Sequence, residues 1–215
     1  MQFIATQHRE DPVKITIIGG SKGTGARVAT LALEAGHEVT VLSRSGGAPD
    51  GARAIAGDAT HPAVVVEAVT GADAVVVTVG GAKAAAHQRT AVTKTVIEAM
   101  EAAGVSRLVI QSSLGAGDSD SQLSALARPV VKLLLAKALA DHNEQESAVM
   151  SSRLDWTILR PTSLTDKEST GTWTALRVGE EGKLQGAVTR GDLAACILGA
   201  LSDDSTIGAA FGVSH

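Results

Sequence analysis

The sequence predicts an α/β protein in which helices wind both faces of a parallel sheet, and three observations carry that reading. Short β-branched runs alternate with segments of helical periodicity along most of the 215 residues. Glycines stand where the helical segments stop, at Gly36, Gly71 and Gly104. One apolar run, Ala72 to Val79, has almost no polar interruption, as a strand buried on both faces requires.

The elements follow in order. Val13-Lys-Ile-Thr-Ile-Ile18 reads as the first strand, and the turn Gly19-Gly20-Ser21-Lys22-Gly23-Thr24-Gly25 follows it directly. Val28, Leu31, Ala32 and Ala35 then keep the spacing of one helical face until Gly36. Glu38 to Leu42 is the second strand; a weaker third, Ala52 to Ala56, ends in Gly57-Asp58, and Thr60 and Pro62 mark the next helix start. The apolar fourth strand runs into Gly80-Gly81. A helix carrying Val92, Val96, Met100 and Ala103 leads past Gly104 to the fifth strand, Arg107 to Ser112. Residues 113–128 are rich in Gly, Ser and Asp and read as a long loop, expected to serve as a lid over the substrate entrance. A long helix from about Val130 to Ser151, a sixth strand at Asp155 to Leu159 and an irregular segment around Thr172 to Val188 follow. Thr189-x-x-Asp192 opens the last helix as a capping box would, and Ala209 to Val213 is the final strand.

The length suits one domain, residues 13–215, behind an N-terminal extension of residues 1–12. Nineteen Lys and Arg stand against 23 Asp and Glu with no basic run, so there is no electrostatic footprint for nucleic acid. The first residues lack the pattern of an export signal and no apolar stretch reaches bilayer length, so a cytoplasmic protein without a membrane partner is expected. Cys196 is the single cysteine and lies in the apolar run Leu193 to Leu198, where a core role is expected. Neither it nor the histidine spacing suggests a metal site.

Chemistry enters with the glycine turn. Gly19-x-x-x-Gly23-x-Gly25 leaves a strand and opens a helix, the context in which such a turn binds a dinucleotide. Gly19 permits the sharp turn, Gly23 lets backbone approach a pyrophosphate and Gly25 lets the helix pack closely; the helix N-terminus adds N–H donors, with Ser21 and Thr24 beside them. This makes the fold Rossmann-type. Where NAD enzymes place a carboxylate at the end of the second strand, this chain has Ser43-Arg44-Ser45. A guanidinium and hydroxyls there, with Lys22 on the same side, favour NADP(H) over NAD(H).

The turn matches the G-x-x-x-G-x-G pattern of the short-chain dehydrogenase/reductase superfamily. Leu154-Asp-Trp-Thr-Ile-Leu-Arg-Pro161, the preceding Asp141-His142 and Val188-Thr-Arg-Gly-Asp-Leu-Ala194 resemble its atypical NmrA-like and biliverdin reductase B (flavin reductase) group. The resemblance implies that Asp58, with Ala59, lies beside the adenine. It puts Val79, Gly80 and Gly81 under the adenosine half and Ser112 near the nicotinamide, with Pro161, Thr162 and Ser163 following the sixth strand.

The main branch of the superfamily moves a proton with a Tyr-x-x-x-Lys pair, and this chain contains no tyrosine. Hydride transfer to a flat conjugated acceptor, a flavin or a quinone, needs positioning more than acid–base machinery. Ser112 or Ser113 is the expected hydrogen-bond donor to the acceptor or to the carboxamide; satisfying loop amides is the alternative for both. His142 is a candidate proton donor near neutral pH, or part of a solvated helix face. Trp173 is expected to wall the acceptor pocket and Trp156 to lie in the core. The expected function is an NADPH-dependent reductase of the flavin/quinone type, with a non-catalytic NmrA-like redox sensor as the alternative.

Overall fold

The computed structural model describes residues 12–80, 87–123 and 127–215, so most of the expected N-terminal extension and Gly81 lie outside the described residues. The chain runs β1 (Lys14–Ile18), α1 (Gly23–Glu34), β2 (Glu38–Ser43), β3 (Arg53–Ala56), α2 (Pro62–Val69), β4 (Ala74–Val77), α3 (Gln88–Ala103) and β5 (Arg107–Gln111). It continues with α4 (Ala127–Leu134), α5 (Ala136–Met150), β6 (Asp155–Pro161), β7 (Leu164–Thr165), β8 (Thr174–Leu176), β9 (Val188–Thr189), α6 (Arg190–Ser202) and β10 (Ala209–Ser214).

The main sheet has the order β3-β2-β1-β4-β5-β6-β10-β8, parallel throughout except for β8, which runs antiparallel to β10. Strands β7 and β9 form a separate small pair. The order 3-2-1-4-5-6 joins two mononucleotide-binding halves and reverses between β1 and β4. Alternating side chains feed two cores. Ile17, Val76 and Val109 pack with Val28, Ala32, Leu193 and Ile197 under α1 and α6. Ile18, Val75, Val77, Leu108 and Ile110 pack with Val65, Val96, Met100 and Val149 under α2, α3 and α5. All four residues of β4 are buried, the cause of the unbroken apolar run in the sequence. Cys196 is fully buried in the first core, where burial pushes its thiol pKa well up.

Three expected elements differ. The long helix after residue 128 is divided at Leu135, whose φ −107° and ψ 12° separate α4 from α5, a one-residue excursion that apolar periodicity does not register. The irregular segment contains β8, which covers the outer edge of β10 with an antiparallel partner. Residues 113–123 form a packed segment rather than an open lid: Leu114, Ala116 and Ser119 are buried, and the Ser119 hydroxyl accepts from Gly115 N and donates to Ala116 O.

Thr189 caps α6 by accepting from Asp192 N at 3.0 Å, while the buried Asp192 carboxylate accepts from Ser169 Oγ, Thr170 N, Gly171 N and Thr189 Oγ1. Burial opposes its charge, but these donors outweigh burial and hold the carboxyl below its usual pKa. A folded pKa below the unfolded one gives stability that is complete above about pH 4 and lost as pH falls through the folded value. Asp192→Asn is therefore expected to flatten the acid limb of a stability-versus-pH curve and to cost about 1–3 kcal/mol at pH 7. Parallel acid limbs in urea titrations of the two proteins would remove Asp192 from this role.

Candidate functional site

A cleft of about 630 Å³ opens at the carboxyl ends of β1, β2, β4 and β5, where the strand order reverses. A second cavity of about 610 Å³ lies at the opposite edge, between Ile15, Leu31 and Leu198, but has no glycine turn or helix N-terminus in its lining.

The glycine turn forms the floor of the first cleft. Gly19 and Gly23 have φ of +92° and +61°, conformations that favour glycine. Helix α1 starts behind Lys22 without a side-chain cap, so the amides of its first turn have no capping side chain and meet the cleft at Gly23 and Thr24. Uncapped amides and the positive end of a 12-residue helix form an anion site suited to a pyrophosphate. Ser21 and Lys22 complete this wall.

At the β2–β3 side, exposed Arg44 lines the cleft together with Asp58 and the buried Ala59, and exposed Lys22 lines it from the glycine turn. Asp58 accepts from both Thr60 N and Thr60 Oγ1 at 2.9 Å, and these bonds, aided by His61 and Arg44, hold its carboxyl below its usual pKa. The buried Ser43 hydroxyl donates to Gly47 O at 3.1 Å and Ser45 Oγ accepts from Gly47 N, so both serines brace the loop that presents Arg44. The charged groups at this side are thus the Arg44 guanidinium and the Asp58 carboxylate, with the serines in support.

Val79 and Gly80 line the far side, where Val79 packs directly against Gly19. Ser112 is placed behind the cleft rather than on it. Its hydroxyl is buried and donates to Glu146 Oε1 at 2.5 Å, and Glu146 in turn holds the fully buried Arg160 through Nε at 3.0 Å and Nη2 at 2.8 Å. The Ser112 proton is therefore committed within the protein, a correction to its expected role as donor to a ligand. Ser113 is half-buried and makes a long contact to Leu114 O at 3.4 Å.

His142 also departs from expectation. It is buried beside Ser112 and Gln145, and burial, reinforced by the charge of Arg89, pushes its pKa down to about 4. Its imidazole is uncharged at neutral pH and has no imidazolium proton to give. The reading of 141–146 as a solvated face fails as well: Asp141, His142, Gln145 and Glu146 all point inward.

Pro161 closes β6, buried; Thr162 N donates to Val213 O, and exposed Ser163 supplies its carbonyl to Val188 N. These three lie beyond the cleft lining, along the same edge of the sheet. Trp173, which precedes β8, packs on the first core and is not among the residues that line the cleft, contrary to its expected place in the pocket wall, and Trp156 packs in β6 against the other core.

Sequence reasoning missed Arg190, Arg89 and Gln111, all in the cleft lining. Arg190 opens α6 and lies over Gly23; Asp166 joins it to Arg27, at 2.9 and 3.1 Å. Arg89 is held by Asp141 at 3.2 Å. The one available signal was a cation just inside the capping box, Thr189-Arg190, whose placement depends on α6 packing against α1.

The model of the NAD(P)H-binding family matches residues 19–204. ChuY of Escherichia coli O157:H7, an anaerobillin reductase, is 32% identical at a TM-score of 0.77, covering 94% of this chain and 97% of its own. A curated relative, the uncharacterized sugar epimerase YhfK of Bacillus subtilis, is 25% identical over 94% of both chains. A short-chain dehydrogenase/reductase of Veillonella parvula, solved with NADP, shares the fold at a TM-score of 0.78 and 20% identity over 94% of each chain. No helix among the described residues is long and apolar enough to cross a membrane. These relatives agree with the resemblance to atypical short-chain dehydrogenase/reductases, and the chain belongs to the NAD(P)H-binding family, with its Rossmann-type oxidoreductase fold.

Proposed function

We propose that this chain is an NADPH-dependent reductase that delivers hydride to a flat conjugated acceptor of the flavin or quinone type. The observation that carries the reading is a cleft spanning both mononucleotide halves, from Arg44 after β2 to Gln111 on β5, in a chain without tyrosine. The glycine turn and the uncapped start of α1 receive a pyrophosphate, and Arg44 and Lys22 receive a 2′-phosphate. A bound NADPH supplies the hydride, and the acceptor completes its reduction with a proton from water. Side-chain acid–base chemistry is not required, which agrees with a neutral His142 and a Ser112 bonded to Glu146. The lack of tyrosine separates this chain from an epimerase that works through a Tyr-Lys pair. ChuY, a reductase at 32% identity, supports the same class of reaction.

The test follows NADPH absorbance with purified protein and FMN, menadione or a linear tetrapyrrole as acceptor. Oxidation well above the free-solution rate is expected with at least one of them; tight NADPH binding without acceptor-dependent oxidation would assign redox sensing instead. Arg44→Ala is expected to weaken NADPH about 10- to 100-fold, the loss of a charge-assisted phosphate contact, and to leave NADH within about twofold. Equal weakening of both cofactors in calorimetric titrations would take Arg44 off the phosphate.

A further inference from the structure

We infer that Gln111 holds the carboxamide of the nicotinamide and so fixes which face of the ring is presented to the acceptor; this rests on the dinucleotide lying along the cleft as proposed above. Gln111 is the last residue of β5, in register with Leu159 of β6, and is one of the residues that line the cleft. Its Oε1 is buried with no hydrogen-bond partner among the described residues. A buried amide oxygen without a donor is unfavourable and calls for an explanation, and a ligand N–H is one that a binding cleft provides. Among the described residues, the other buried polar atoms in this condition belong to Gln122, Arg128, Thr162 and Trp173, none of which lines the cleft.

Position selects the ligand group. Arg44 and Asp58 stand on the β2–β3 half, the glycine turn and α1 in the middle, and Gln111 on the β4–β5 half. A dinucleotide anchored by its pyrophosphate at α1, with its adenosine toward Arg44, lays its second mononucleotide over β4 and β5. The 3-carboxamide of nicotinamide carries two N–H donors in a plane, which an unpaired Oε1 can accept. Ser112, the next residue, does not take this part because it is buried behind the cleft, against Glu146, and does not line it. A ring turned over about its glycosidic bond would put a C–H where Oε1 needs a donor, so Gln111 selects one face.

The test compares dissociation constants for NADP⁺ and its 3-acetylpyridine analogue, in which a methyl replaces the amide NH₂, with 2′,5′-ADP as a probe of the adenosine half alone. The wild-type protein is expected to bind NADP⁺ about 5- to 10-fold more tightly than the analogue, the value of one buried hydrogen bond. Gln111→Leu should bind the two within about twofold of each other and 2′,5′-ADP as wild type does, which also reports an intact fold; Gln111→Met serves if the leucine variant does not fold. Equal binding of NADP⁺ and analogue by the wild type, or an unchanged preference in Gln111→Leu, overturns the inference. Failure of 2′,5′-ADP and NADP⁺ alike to bind the wild type overturns the dinucleotide reading with it, whereas binding of 2′,5′-ADP without a preference overturns the role of Gln111 alone.

Discussion

Glu146→Leu is expected to destabilise the protein by about 3–5 kcal/mol, the cost of leaving a buried charge without its partner. Arg160 is fully buried on β6 and rests on Glu146, itself 1% exposed, through two hydrogen bonds. Burial works against the guanidinium charge, but Glu146 and Asp118 outweigh it and keep its pKa above the usual value. The remaining partner, Asp118 at 2.7 Å from Nη1, is largely exposed and cannot replace a buried carboxylate. The double replacement Glu146→Leu, Arg160→Met removes both charges and is expected to recover most of the loss, because a well-packed apolar pair is often as stable as a buried ion pair. Urea denaturation of the two variants decides the matter: equal losses would show that packing, not an unpaired charge, sets the effect.

This network marks the boundary of what the sequence discloses. Strands β1, β2, β4, β5, β6 and β10 are legible because β-branched runs meet glycines at the places where a parallel sheet turns. The glycine turn is legible because its meaning is local: a strand, a turn and a helix in unbroken succession. Asp141, His142, Gln145 and Glu146 are not. Their spacing puts them on one face of α5, and a polar face reads as a solvated one, yet α5 turns this face toward α3, β5 and β6, where Thr90, Thr93, Ser112 and Arg160 meet it. Gln111 and Arg190 were illegible for a related reason. Each is an ordinary polar residue at the end of an element, and what makes it part of the cleft is a neighbour far away in the chain, Gly23 in the case of Arg190.

Gly25→Ala is expected to lower NADPH affinity about 100-fold or more and stability by about 1–3 kcal/mol, through overpacking at the start of α1. A methyl at Gly25 would lie 2.6 Å from Gly19 O and 2.9 Å from Gly20 Cα and would also meet Thr78 Oγ1. Two of these neighbours are backbone of the same turn and cannot swing aside, so α1 must move away from β1 and β4 or the turn must open. Either movement displaces the uncapped amides of the helix from the anion they receive. Gly71→Ala provides the comparison, since Gly71 has φ +77° and nothing within 4 Å of the added methyl. That variant should lose about 1 kcal/mol from backbone strain and no affinity. Thermal denaturation and NADPH titration of both proteins separate the two kinds of glycine: wild-type affinity in Gly25→Ala would mean that the close approach of helix and turn does not set the phosphate site.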